Sequence, residues 1–145
     1  MKINIALIAH DGKKPEMVSF ILQHRDVLKN ATLFATGTTG SHIEKEGFEV
    51  YMMTPDKDYA QLVSDTVFMY KPGRQGGDIE ILGKKEVLEK FDIERVEQVI
   101  DILGLQGDAV DNIPGIPGIG AKTAVKLLKQ FGSMEGLLEN TDKLK

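Results

Sequence analysis

The sequence predicts an α/β fold: a three-layer, Rossmann-like, mostly parallel sheet followed by a helical C-terminal subdomain. Two observations carry the sheet. Apolar runs of strand length alternate with helical spacing through the first 54 residues, and a strand–helix–strand order implies right-handed crossovers and parallel pairing. A third observation carries the subdomain. After Gly83 the apolar positions recur at helical spacing to the end of the chain.

Residues 3–9 (INIALIA) read as a buried strand, because apolar residues continue through it apart from Asn4, as in parallel strands covered on both faces. Residues 14–29 place Met17, Val18, Phe20, Ile21, Leu22, Val27 and Leu28 at helical spacing, and Pro15 is tolerated in a first turn. Residues 32–35 form a second strand, ending in a Thr36-Gly37-Thr38-Thr39-Gly40 loop. A short helix then runs to about Glu46 and stops at Gly47. Residues 48–54 (FEVYMMT) are a third strand, 59–63 a short helix and 66–71 a fourth strand. Residues 72–77 are turn material, and 79–82 return as a hairpin partner. Helices are expected over 84–91, 93–103, 121–131 and 133–140, with Gly132 as a stop and Ser133 as a cap. Met17, Phe20, Met52, Met53, Phe68 and Met69 are expected in the core, and His24 at the surface.

Composition removes several classes of function. With no cysteine, disulfides, zinc–thiolate sites and thiol nucleophiles are excluded. The first apolar run is too short to span a membrane and lacks a small-residue cleavage site, so a cytoplasmic protein without membrane contact is expected. The net charge of −4 does not favour a nucleic-acid partner. Yet residues 121–145 hold five lysines against three acidic groups, so this end carries +2 and the rest −6.

Three constellations could carry chemistry. Asp56 and Asp58 follow the third parallel strand, where the carboxyl ends of strands gather ligands, and two carboxylates there suit a hard cation such as Mg²⁺. One of them could instead cap the next helix. Asp108 and Asp111 form a second acidic pair, inside GDAVDNIPG. Their spacing of three brings both side chains to one side of a helical turn, or equally serves turn chemistry. The third is Gly115-Ile116-Pro117-Gly118-Ile119-Gly120-Ala121-Lys122-Thr123. It is not a nucleotide-binding P-loop, because Ala121 separates glycine from lysine and a helix precedes it. It reads as a hairpin between helices that offers backbone amides to a phosphate, with Lys122 and Lys126 nearby, or as a plain helix connection.

Together TPDKDYAQLV and GDAVDNIPGIPGIGAKTAVKLLKQFGSMEGLLEN resemble the 5′-nuclease domain of bacterial DNA polymerase I, in the flap-endonuclease family, over residues ~44–145. The resemblance implies divalent metal (Mg²⁺ or Mn²⁺) on Asp56, Asp58, Asp108 and Asp111. It also implies a helix-three-turn-helix, or helix-hairpin-helix, element that holds the duplex backbone through Gly115, Gly118, Gly120, Lys122 and Thr123, with Lys126 beside them, often around a potassium ion.

The opening departs from that family. The helical arch and the Glu-Ala-Asp-Asp cluster expected before the D-x-D strand are missing. Instead IALIAHDGKKPEMVSF and LFATGTTGSHIEK resemble the start of methylglyoxal synthase, over residues ~1–46. That resemblance implies phosphate binding by His10, Asp11, Lys14, Thr36, Gly37, Thr38, Thr39 and Gly40. Hydroxyls and amides at a strand-to-helix turn suit such a cradle, although a Thr/Gly turn also caps helices. The synthase's Gly-Gly-Asp-Gln segment, which supplies its base, is absent, so lyase activity is not expected.

The expected organisation is therefore an α/β sheet domain over 1–83, synthase-like over 1–46 and nuclease-like over 47–83, followed by a DNA-binding helical subdomain over 84–145. The expected function is that of a recombinant or fused protein. It binds duplex or flap DNA weakly and salt-sensitively and keeps one acidic metal site, to which Asp11 is a candidate addition, and it is without catalysis. The alternatives are an active structure-specific 5′ nuclease, a phosphate-binding or synthase-type lyase, and an inactive folding chimera.

Overall fold

The computed structural model describes residues 3–73 and 77–144. The chain divides into two compact units, Met1–Lys84 and Lys85–Lys145.

The first unit is built on a five-stranded sheet of order β1-β2-β3-β4-β5, comprising Ile3–Leu7, Ala31–Ala35, Val50–Met53, Val67–Lys71 and Glu80–Leu82. The first four strands are parallel, and β5 returns antiparallel beside β4. The sheet is mixed and mostly parallel, as expected. Of the expected turn at 72–77, residues 74–76 lie outside the described residues. Because the strand order runs one way, right-handed crossovers carry the connecting helices to one face. Helices α1 (Lys14–Gln23) and α3 (Gly37–Lys45) pack there against each other. Burial alternates accordingly. Leu33, Val50, Met52, Val67 and Met69 are buried, while Phe34, Tyr51, Phe68 and Tyr70 are half-buried on the opposite face. Their rings meet at centroid distances of 5.3–5.4 Å.

In the first unit four expectations need correction. Residues 3–9 do not form a buried strand. β1 is an edge strand, with Ile3 67% and Ile8 69% exposed, because the chain steps only away from it. The helix expected over 14–29 breaks at His24, giving α1 and a short α2 (Arg25–Leu28). The break turns Arg25 toward the connection between α3 and β3, where its guanidinium donates to Glu46 O at 2.6 Å and covers the Phe48 ring at 4.9 Å. The Thr/Gly run is not a loop ahead of a helix but the first turn of α3. Glycine's poor helix propensity is overridden there by packing: a β-carbon on Gly40 would sit 2.9 Å from Met52 Cγ. Finally, Phe20 and Met53 are each 46% exposed and not core.

The second unit contains α4 (Lys84–Phe91), α5 (Gln98–Gln106), α6 (Ala121–Phe131) and α7 (Met134–Leu138). Helix α5 starts later than the expected residue 93. The buried Gln98 side chain accepts from the N–H groups of Glu94 and Arg95, both at 3.0 Å, and donates to Gly132 O at 2.8 Å. A side-chain oxygen thus takes the amides that would otherwise enter a first helical turn. Gly132, at φ 82°, ends α6. Ser133 caps α7 by accepting from Gly136 N at 3.1 Å. Both match the sequence reading.

Candidate metal-binding and nucleic-acid-binding sites

The acidic pair of the second unit lies in a loop between α5 and α6. Asp108 and Ile113 exchange both backbone hydrogen bonds at 2.8 Å, closing a tight turn over 109–112. One oxygen of Asp108 accepts from Val110 N at 3.1 Å. Asn112 takes a φ of 57°, which Asn tolerates better than most residues. The turn chemistry is therefore realised and the helical turn is not. The turn nevertheless brings a carboxylate oxygen of buried Asp108 and one of exposed Asp111 within 4.8 Å of each other. A surface cavity of about 460 Å³, lined by Gln106, Gly107, Asp108, Ala109, Asn112 and Pro114, opens beside them. Two hard oxygen donors at this spacing, one of them buried, fit an oxygen-seeking divalent cation.

The glycine hairpin follows directly. Gly107 (φ 85°) and Gly115 (φ 65°) pass so closely that a β-carbon on Gly115 would lie 2.3 Å from Gly107 N. Only residues without a side chain permit that crossing. Ile116 N donates to Leu105 O at 2.9 Å, tying the hairpin back to α5. Ile116, Pro117, Gly118 and Ile119 then form a turn closed by Ile119 N to Ile116 O at 3.0 Å, with Gly118 at φ 84°. This is a type II arrangement, with proline at its second position and glycine at its third. Gly120 is the N-cap of α6 and brings no capping side chain to it. Lys122, Thr123 and Lys126 are exposed along the first turns. The hairpin thus presents free backbone amides, a helix start and two ammonium groups, the chemistry that receives a phosphate.

In the first unit Asp56 is exposed and accepts from Asp58 N at 3.1 Å, so it caps the 3₁₀ turn Lys57–Leu62. Asp58 is half-buried, with Lys57 Nζ at 3.9 Å. Both border a hollow of about 280 Å³ that Tyr59, Gln61 and Leu62 complete. The capping role read from the sequence is thus real, and the second oxygen of a capping carboxylate stays open to a ligand.

Of the eight residues of the opening part, the structure brings Asp11, Lys14 and Thr38 together beyond the carboxyl ends of β1 and β2. The Lys14 ammonium, its side chain 12% exposed, lies 2.5 Å from Asp11 Oδ1 and 2.7 Å from Thr38 Oγ1. That neighbour holds the Asp11 carboxyl below the usual carboxylate range, through the hydrogen bond first and the charge second. His10 Nδ1 accepts weakly from Gly12 N at 3.4 Å. Thr36 and Thr39 share a hydroxyl hydrogen bond at 3.3 Å. Gly37, Thr39 and Gly40 are buried, so only Thr36 and Thr38 of this run are exposed. The sequence did not reveal Tyr59 as the partner of Gly37, nor Gln98 as the tie between α5 and α6. Both are contacts between residues distant along the chain.

Residues 94–145 match a family model described as the 5′-3′ exonuclease C-terminal SAM fold. DNA polymerase I of Bacillus subtilis is 46% identical over 108 residues, which is 74% of this chain and 12% of that protein. A 5′-3′ exonuclease of Aquifex aeolicus is 43% identical over 99 residues, covering 68% of this chain and 32% of the relative. Methylglyoxal synthase of Thermus thermophilus is 61% identical over 41 residues, 28% of this chain and 32% of the synthase. The chain therefore spans about an eighth of the polymerases it matches. In fold it is similar to a mutant of T5 5′-exonuclease, with a TM-score of 0.62 at 16% identity over 96% of this chain and 77% of that one. It is also similar to a bacteriophage T5 flap endonuclease solved as a pseudo-enzyme-product complex with DNA and metal ions, with a TM-score of 0.61 at 15% identity, over 94% of this chain and 78% of that one. The chain joins sequence similar to two different families, the 5′-3′ exonuclease part of bacterial DNA polymerase I over most of its length and methylglyoxal synthase over a shorter stretch.

Proposed function

We propose that this chain binds duplex or flap DNA and a divalent cation without cleaving the DNA. The observation that carries the reading is the hairpin ahead of α6. The Gly107–Gly115 crossing and the Gly118 turn hold an N-cap without a side chain beside exposed Lys122, Thr123 and Lys126. Backbone phosphates of DNA bind at Gly115, Gly118, Gly120, Lys122, Thr123 and Lys126, with K⁺ stabilising the hairpin. Asp108 and Asp111 hold Mg²⁺ or Mn²⁺, and the carboxylates of Asp56 and Asp58 suit the same kind of ion. The cation would supply charge to draw a phosphate oxygen. Asp11 is left out, because a second cation would have to compete with the Lys14 ammonium. Catalysis is left out because the acidic cluster and helical arch of the nuclease family have no counterpart in the sequence.

The test is fluorescence anisotropy of labelled duplex and flap DNA at two salt concentrations, repeated with Na⁺ in place of K⁺. Binding should weaken with salt, because the phosphates that Lys122 and Lys126 neutralise release counterions on an otherwise acidic protein. Absence of binding at low salt rules the reading out.

A second reading concerns the opening part. Lys14, poised between Asp11 and Thr38, favours a phosphate or small phosphorylated ligand at the ends of β1 and β2. Synthase chemistry is not included, since no base replaces the missing segment. Phosphate titration followed by the amide resonances of residues 36–40, with Thr38→Val as control, checks it.

A further inference from the structure

We propose that β1 is the dimerisation edge of this protein, pairing antiparallel with β1 of a second copy about a two-fold axis at Ile5. β1 has a strand partner on one side only among the described residues. Its other side presents backbone N–H and C=O groups in a row, which is a template for another strand. Natural edges are blunted by charges, proline, bulges or shortness, and Ile3–Leu7 has no charge and no proline. The opposite edge is different. β5 has three residues, carries Glu80, and sits where Lys71 and Glu80 approach to 4.0 Å.

The surroundings of β1 select the occupant. Ile3 and Ile8 are exposed at its ends, and an apolar groove of about 500 Å³ opens between the C-terminal end of the strand and α1, lined by Leu7, Ile8, Met17 and Phe20. Of the polar groups that line it, Lys13 and Glu16 pair at 2.6 Å, and His10 stands beside them. A nucleic acid finds no unpaired positive charge in this rim pair, whereas a second copy meets no like-charge repulsion. An antiparallel ladder centred on Ile5 is self-complementary. It sets Ile3 opposite Leu7 and Asn4 opposite Ala6 of the other copy, and carries Ile8 past the end of the facing strand toward the second groove. A five-residue edge with one groove offers little surface beside the roughly 800 Å² per partner of a standard interface, so a weak dimer is expected, with a dissociation constant on the order of 10–100 µM.

Sedimentation equilibrium of the whole chain, from about 1 µM to 1 mM, tests this. The mass should rise from 16.0 kDa toward twice that value and no further. Asn4→Lys/Ala6→Lys places ammonium groups opposite each other at exposed positions and should hold the chain at one copy, with an unchanged circular dichroism spectrum. The same holds for Asn4→Asp/Ala6→Glu, and mixing the two variants should restore the dimer. A wild-type chain that stays at one copy throughout overturns the proposal. So do variants that associate as the wild type does, or growth beyond two copies.

Discussion

A β-carbon added to Gly37 would sit 1.8 Å from Cε1 of Tyr59. Gly37 belongs to the stretch similar in motif to methylglyoxal synthase and Tyr59 to the nuclease-like D-x-D segment, so the two parts fit each other at atomic contact. An alanine that ordinarily favours a helix should therefore destabilise here. Gly37→Ala is expected to cost about 1–3 kcal/mol through overpacking. Adding Tyr59→Leu should recover part of that loss, since residues in contact are coupled. Urea unfolding of the single and double variants measures it, and purely additive effects would count against a shared core at this point.

Gly115→Ala should be worse than Gly118→Ala. Both glycines have positive φ, which costs a side chain about 1 kcal/mol or more. At Gly118 the added carbon meets open space, while at Gly115 it meets the Gly107 backbone at 2.3 Å. Thermal unfolding should rank them in that order, and DNA anisotropy should fall with Gly115→Ala.

Two carboxyls should shift stability with pH in opposite directions. Asp11 is depressed by Lys14, so its contribution is present above the unfolded value of 3.8 and lost as pH falls through the lower folded value. In Lys14→Met the Asp11 titration, followed by carboxyl NMR, should move up toward 3.8. Asp101 is raised by burial, with the Met134 N–H pulling the other way. It favours the folded state below 3.8, and that benefit disappears as pH rises through its folded value. Asp101→Asn keeps an acceptor for Met134 and should be relatively more stable at pH 7 than at pH 3 when compared with the wild type. The reverse dependence would contradict the assigned burial.

Asp108→Asn should keep the Val110 N–H bond, because an amide oxygen can accept it, and change stability little. It should still weaken Mn²⁺ binding at least tenfold by removing a charged ligand, which electron paramagnetic resonance of free Mn²⁺ reads directly. Equal affinity in the variant would remove Asp108 from the cation site.

What the sequence made legible was local. The bounds of α4 and α6 match the expected 84–91 and 121–131, because amphipathic spacing ends there at Gly83, Gly120 and Gly132. The antiparallel β5 followed from a Gly/Pro turn. The acidic and glycine motifs stood out for their spacing, and comparison with known proteins supports their ancestry. What was not legible depends on distant partners. The late start of α5 needs the Gln98 side chain, the helical Thr/Gly run needs Tyr59 and Met52, and the exposure of β1 needs the strand order. No window of adjacent residues contains that information.

On the proposed function, DNA and cation binding outlive cleavage. The most direct test incubates the chain with a labelled 5′-flap substrate and Mn²⁺ at low salt, scoring bound and cut DNA in the same lanes. The expected result is a retarded, intact substrate that is released as salt rises, with Lys122→Ala lowering the salt slope by about 1. Cleavage products that vanish in Asp108→Asn would contradict it, and would make the chain an active 5′ nuclease.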